Sequence, residues 1–165
     1  MPSNVRPIPE GYHSISPALT CKNAARAIDF YKQAFGASEI NRMPGPGGQI
    51  MHAELRIGDS VIFVADEFPG MSAAPAPGAT PSSYLFLYTE DVDSVFNRAV
   101  AAGAKAAMPV ADMFWGDRYG KLTDPFGHSW GIATHVEDVS PEEMARRSAE
   151  WTANMAKAAG AGQKS

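Results

Sequence analysis

His52 and Glu54 stand two residues apart in MHAELRIG, so on an extended chain both side chains leave on the same face. An imidazole beside a carboxylate is the usual general-base pair, because the carboxylate raises the ring's basicity. Arg56 continues that face and adds a cation. The plainer alternative is the wet face of a half-exposed antiparallel strand. A second group is WGDRYG, Trp115 to Gly120. Trp115 offers a stacking plate, Asp117 an acceptor, Arg118 a forked cation and Tyr119 a further ring, on a backbone that two glycines allow to bend toward a ligand. Its alternatives are a local Asp117–Arg118 ion pair stiffening a loop, and Trp115 as a lid on the core.

What must position these groups is a repeated unit. Gly58-Asp59-Ser60 superposes on Phe126-Gly127-His128 at a spacing of 68, and Phe35-Gly36-Ala37 on Ala102-Gly103-Ala104 at 67. At 67, Tyr119 falls on His52, so the two groups are expected to enter one cleft from opposite units. Residues 1–12 hold three prolines and a glycine and read as an irregular lead-in, and unit one spans about 13–66. His13 to Cys21 reads as a strand, and Asn23 caps a helix whose stripe is Ala27, Ile28, Tyr31 and Phe35, ended by Gly36. Ser38 to Met43 is a short strand and residues 44–48 a turn. Ile50 to Ile57 alternates, with Met51, Ala53, Leu55 and Ile57 meeting the helix and His52, Glu54 and Arg56 opposite. Gly58-Asp59 turns into the strand Val61 to Ala65.

A Pro-, Ala- and Gly-rich linker occupies about 67–83. Unit two, about 84–135, repeats the order. Tyr84 to Thr89 is a strand. Asp91 caps a helix with the stripe Val92, Val95, Phe96, Ala99 and Val100, ended by Gly103. Ala104 to Met108 is a short strand, and Met113 to Thr123 a loop running into another. Asp124-Pro125-Phe126-Gly127 is a structural turn, and Ser129 to Thr134 the last strand. Trp130 and Phe126 read as core, His128 as a solvated turn residue, and His13 and His135 as strand-end residues without a nameable partner. A C-terminal helix over about 140–157 opens on Ser140, Pro141 and Glu143, a capping box with proline at the first position. Its stripe of Met144, Ser148, Trp151 and Met155 reads as core or a subunit contact, and the tail 158–165 as frayed.

With 165 residues the chain makes one α+β domain. A net charge of −4 with interspersed signs argues against nucleic acid or an anionic membrane as partner. No apolar run marks the amino terminus, so neither signal peptide nor membrane span is expected, and the location expected is cytoplasmic. Cys21 is the sole cysteine, which excludes an intrachain disulfide and a thiolate zinc site. It reads as a small buried hydrophobe. Phosphate loops, CxxC and dinucleotide glycine motifs are absent.

The segments ALTCKNAARAIDFYKQAFGA, MHAELRIGDSVIFVAD, TEDVDSVFNRAVAAGA, GDRYGKLTDPFGHSWGIATH and VEDVSPEEM resemble the PhnB-like branch of the vicinal oxygen chelate superfamily, the glyoxalase/bleomycin-resistance/dioxygenase fold. The resemblance implies two βαβββ units forming an open, mostly antiparallel β-cleft, a small-molecule ligand and a homodimer. Members include isomerases, lyases, dioxygenases and drug-binding proteins, so the fold leaves the reaction open. Carrying the family's four metal-ligand positions across gives Ser16, Glu54, Tyr84 and Gly131. Only Glu54 is a competent ligand, so no cofactor is expected and a divalent metal is disfavoured, with His52 and Glu54 the weak candidates for one. The leading expectation is small-molecule binding, extending to a metal-independent lyase or isomerase in which His52 is the base, Glu54 its orienting group and Arg118 an anion holder. The alternatives are sequestration of a planar drug or metabolite on Trp115 and Tyr119 without turnover, and a metal-dependent glyoxalase or dioxygenase.

Overall fold

A computed structural model describes residues 5–161, with side chains through residue 158. Unit one runs β1 (Ala18–Cys21), α1 (Ala24–Phe35), β2 (Ser38–Pro44), β3 (Ile50–Ile57) and β4 (Ser60–Asp66). Unit two runs β5 (Leu85–Tyr88), α2 (Val92–Ala101), β6 (Lys105–Asp112), β7 (Asp117–Thr123) and β8 (Ser129–His135), and α3 (Pro141–Ala161) follows. Each unit forms its own sheet, in the orders β1-β4-β3-β2 and β5-β8-β7-β6. Only β1–β4 and β5–β8 are parallel pairs among these strands. The class is α+β: two βαβββ units with open sheets and a C-terminal helix.

Local chemistry sets the helix ends. The Asn23 side chain accepts from Arg26 N and the Asp91 side chain from Ser94 N, each holding an otherwise orphan donor. Gly36 closes α1 in the left-handed region at φ 68°, where a side chain would be strained. The Ser140 hydroxyl accepts from Glu143 N, but the Glu143 carboxylate turns to Arg146 and Arg147 instead of completing the capping box.

α1 and α2 lie against one another, each over the inner face of its own sheet, and one apolar cluster runs through both units. Tyr31 and Phe35 of α1 pack on Trp130 of β8, with ring centroids 5.5 and 4.6 Å apart. Asp124 ties this seam together: it is buried and accepts from Tyr31 Oη, Trp130 Nε1 and the backbone N–H groups of Phe126 and His128. Trp130 is core as expected, and Phe126 packs on the cluster partly buried.

Several boundaries and faces differ from the sequence reading. β1 begins at 18 instead of 13; before it, Pro17 still accepts from Phe63 N. β5 begins at Leu85, and β6 continues to Asp112 through two register shifts. Met51 and Val100, assigned to apolar stripes, are exposed, Met51 at a register shift where it is skipped between the Met43–His52 and Pro44–Ile50 pairs. Trp151 and Met155 are likewise exposed, so the α3 stripe is no part of the core. α3 stays helical to Ala161, past the expected fraying at 158, while residues 162–165 of that tail lie outside the described residues, as do 1–4 of the lead-in.

Candidate functional site

Each sheet turns one face to its helix and leaves the other open. On β3 the odd residues Ala53, Leu55 and Ile57 are buried toward α1, so His52, Glu54 and Arg56 line the open face together. His52 Nε2 lies 3.1 Å from Glu54 Oε1 and Tyr12 Oη donates to Glu54 Oε2 at 2.5 Å. Those two donors hold the Glu54 carboxyl below its usual range, Tyr12 contributing more than His52. With Nε2 donating to the carboxylate, His52 Nδ1 keeps the free lone pair a base needs. The ring also packs on Phe63 of β4 at 4.9 Å. Arg56 donates to Gly11 O, so the lead-in segment is fastened across this face at two points. Beneath it is a cavity of about 510 Å³, walled by residues 7–9, 12–14 and 16 together with Glu54 and Phe63.

On unit two the open face is aromatic. Phe86 stacks on Tyr119 at 5.5 Å, with Tyr88 4.9 Å and Tyr84 6.5 Å from Phe86, and Trp115 5.9 Å from Tyr119. Tyr84, Phe86 and Tyr88 are 52%, 42% and 60% exposed, an unusual display of apolar rings for an isolated surface. Gly131 permits it: a Cβ there would stand 2.8 Å from the Tyr119 ring. Lys121 sits over the Tyr84 ring at 4.9 Å. Burial pushes the Tyr119 phenol above its ordinary value, so it is a neutral ring here.

Asp117 anchors the edge of this face. It is buried, accepts from Trp115 Nε1 and Tyr88 Oη at 3.0 Å each, and lies 2.8 Å from His135 Nδ1. It therefore positions two of the rings, a role WGDRYG only hinted at. His135, expected to lack a partner, has two carboxylates: Asp138 at Nε2 and Asp117 at Nδ1 raise its pKa in that order. Two further residues sit elsewhere than expected. Arg118 points to the helix side of β7, where Asp93 of α2 and Asp112 of β6 take its guanidinium, so it neither pairs with Asp117 nor faces the open side. His128 is not a solvated turn residue; its Nε2 donates to Thr20 O of the other unit at 3.0 Å. Cys21 is fully buried, as its reading requires, and that burial pushes its thiol up to about 12, so it is an inert hydrophobe.

The expectation that His52 and Tyr119 enter one space from opposite sides needs correction. The cavity beside Glu54 takes no lining from unit two, so the candidates form two groups: Arg56, His52 and Glu54 on one face, Trp115, Asp117 and Tyr119 on the other. The side chains that join the units, through Asp124 and His128, lie on the helix side. Metal ligation is poorly served as well. Of the four strand positions only Glu54 brings a strong donor, and its oxygens already accept from Tyr12 and His52. Gly131 brings no side-chain donor, and among the described residues no three His, Cys, Asp or Glu gather closely enough to hold a metal ion.

A family model described as the Glyoxalase/Bleomycin resistance protein/Dioxygenase superfamily matches residues 13–132. An uncharacterised protein of Mycobacterium bovis is 43% identical over 136 residues, 79% of this chain and 89% of that protein. The crystal structure of TioX from Micromonospora sp. ML1 superposes with a TM-score of 0.61 at 30% identity, covering 75% of this chain and 99% of that one. A PhnB protein from Bacillus cereus shares the fold at a TM-score of 0.60 and 20% identity, over 74% of this chain and 99% of its own. The chain belongs to the Glyoxalase/Bleomycin resistance protein/Dioxygenase superfamily.

Proposed function

We propose that this member of the superfamily binds a planar small molecule, an organic metabolite or drug, between two unlike walls. One wall is the polar face of His52, Glu54 and Phe63; the other is the aromatic face of Tyr119, Phe86 and Tyr88. The observation that carries the reading is that each wall is incomplete alone: the cavity at Glu54 lacks an aromatic plate from unit two, and the rings of unit two stand bare. Pairing two copies of the chain, so that unit one of each meets unit two of the other, would complete two equivalent sites. Rings of this kind supply large contact area at small loss of side-chain freedom, which suits a flat ligand.

A catalytic version of the same site is favoured by the His52–Glu54 contact. Glu54, kept anionic by Tyr12 and His52, fixes the imidazole, and the Nδ1 lone pair removes a proton from a bound substrate. Arg56, not Arg118, is the cation on that face. A ligand-observed NMR screen of planar aromatic compounds, followed by titration and a turnover assay on the tightest binder, separates the two readings. Tyr119→Ala should weaken binding about tenfold, as loss of one stacking plate implies. His52→Ala should leave affinity within about threefold and abolish any turnover. Full affinity in Tyr119→Ala would defeat the binding reading, and unchanged turnover in His52→Ala the catalytic one.

A further inference from the structure

A cavity of about 640 Å³, larger than the one beside Glu54, lies away from both open faces. It sits where the linker segment 75–79 passes the start of α1, the start of β6 and the 123–127 turn. The linker is seated there by shape: a Cβ on Gly127 would stand 2.9 Å from Pro75 Cβ. Gly127 also has φ 92°, so two constraints hold that position to glycine.

Three cations line the cavity: Lys22, Arg26 and Lys105. They come from three places in the chain, the β1–α1 connection, the first turn of α1 and the first residue of β6. The ion pairs made by lysine and arginine among the described residues engage Lys32, Arg42, Arg118, Arg146 and Arg147. Lys22, Arg26 and Lys105 take part in none of them. The acid in the cavity's lining, Asp124, is already occupied, its oxygens accepting from four donors. Asp66, under the start of α1, accepts from Ala24 N and Ile50 N. Because Asp66 and Asn23 already cap α1, the attraction must come from the side chains rather than the helix end. Pro75, Pro125 and Phe126 give the same cavity an apolar wall.

We infer that this cavity is a second ligand site, independent of the open faces, and that it takes a small organic phosphate. The dianionic head sits among Lys22, Arg26 and Lys105, and an apolar body rests on Pro75, Pro125 and Phe126. A phosphate monoester carries about −1.5 to −2 near neutral pH, which three cations match better than they match a single carboxylate.

The test is a titration of the whole chain followed by amide NMR, with phenyl phosphate as probe and benzoate and inorganic phosphate as comparators. Phenyl phosphate should give saturable shifts at Gly103, Gly127 and the 75–79 segment, and benzoate should bind at least about tenfold more weakly, as expected for a monoanion facing the same cations. Inorganic phosphate should bind more weakly than phenyl phosphate for want of the apolar contact. The combined change Lys22→Ala, Arg26→Ala, Lys105→Ala should weaken phenyl phosphate about tenfold or more, while Lys157→Ala on α3 leaves it unchanged. All three residues are exposed, so the fold should survive. On the unmodified chain, raising NaCl from about 0.05 to about 0.5 M should weaken binding severalfold, since the same cations are then screened. Absent saturation, shifts that map to Glu54 and Phe63, equal affinity for benzoate or inorganic phosphate, salt-insensitive binding or an unaffected triple variant would each overturn the assignment.

Discussion

The two units share a frame and differ in what they present. Leu55 opposite Ile62 in unit one matches Leu122 opposite Trp130 in unit two, and Glu54 opposite Phe63 matches Lys121 opposite Gly131. Even the anchoring of the helices repeats: Ala24 N donates to Asp66 in unit one and Val92 N to Thr134 in unit two, the donors and the acceptors each 68 residues apart. On the open faces His52 corresponds to Tyr119 and Glu54 to Lys121, an acid–base pair against a ring and a cation. The helix side carries the stability of both units and constrains both sequences alike. The open sides carry no shared core and are free to diverge, so a duplicated scaffold can present two chemically distinct walls.

That contrast is sharpest at the hairpins. The β3–β4 turn is two residues long, with Asp59 exposed and receiving only the neighbouring Ser60 hydroxyl. The β7–β8 turn is longer and carries the buried Asp124 with its four donors. Asp124→Ala should destabilise the chain by about 3–5 kcal/mol, since it orphans a buried phenol, an indole N–H and two amides, whereas Asp59→Ala should stay within about 0.5 kcal/mol in chemical denaturation. Similar losses for the two would mean that the seam between units is not where stability concentrates. A smaller difference is expected at the matched helix anchors. Asp66→Ala, removing charge-assisted bonds to two amides, should lose about 2–3 kcal/mol, and Thr134→Val about 1 kcal/mol, both read from urea midpoints. An inverted order would contradict the reading that a carboxylate accepting from two amides anchors a helix more firmly than a hydroxyl accepting from one.

The subtlest effect belongs to unit two alone. His135 sits between Asp138 and Asp117, so its folded-state pKa is raised above the ordinary 6.5. The imidazolium's contribution to stability is therefore complete below about pH 6.5 and lost as pH climbs through the raised value. An NMR titration should find the His135 midpoint above 6.5, and His135→Gln should flatten the small decline in stability over that window. A His135 midpoint at or below 6.5 would contradict the pairing of His135 with Asp138 and Asp117.

Much of the frame is legible in the sequence because its causes are local. Caps at Asn23 and Asp91, the left-handed Gly36, the alternation of β3 and the spacing near 68 all follow from residue type and period. The site is legible only in part. His52 and Glu54 are neighbours on one strand, so period-2 geometry joins them. Trp115 and Tyr119 stand out in WGDRYG, but Phe86, Tyr88 and Tyr84 look like any apolar strand, because nothing local says that their rings lack a cover. Arg118 misleads because strand parity places it opposite Asp117 and Tyr119, where Asp93 and Asp112 take it. His128 reaches Thr20 O 108 residues away and His135 reaches Asp117 18 residues away, separations that no motif encodes, although Asp138, the second partner of His135, lies three residues on. The N-terminal segment has the composition of an irregular lead-in, yet Tyr12 and Gly11 roof the His52 face.

The proposal that the two walls meet only across a pair of chains has a direct test in subunit mixing. Phe63→Ala removes part of one wall and Tyr119→Ala part of the other, and each variant alone should bind the tightest planar compound poorly. Equilibrated in equal amounts they should regain about a quarter of the wild-type binding sites, because half of randomly formed pairs hold one site with both walls intact. Calorimetric titration of the mixture reads that stoichiometry. Recovery near that level supports the composite site; a mixture that binds no better than its separate components, or a protein that sediments as a monomer with its ligand bound, would contradict it.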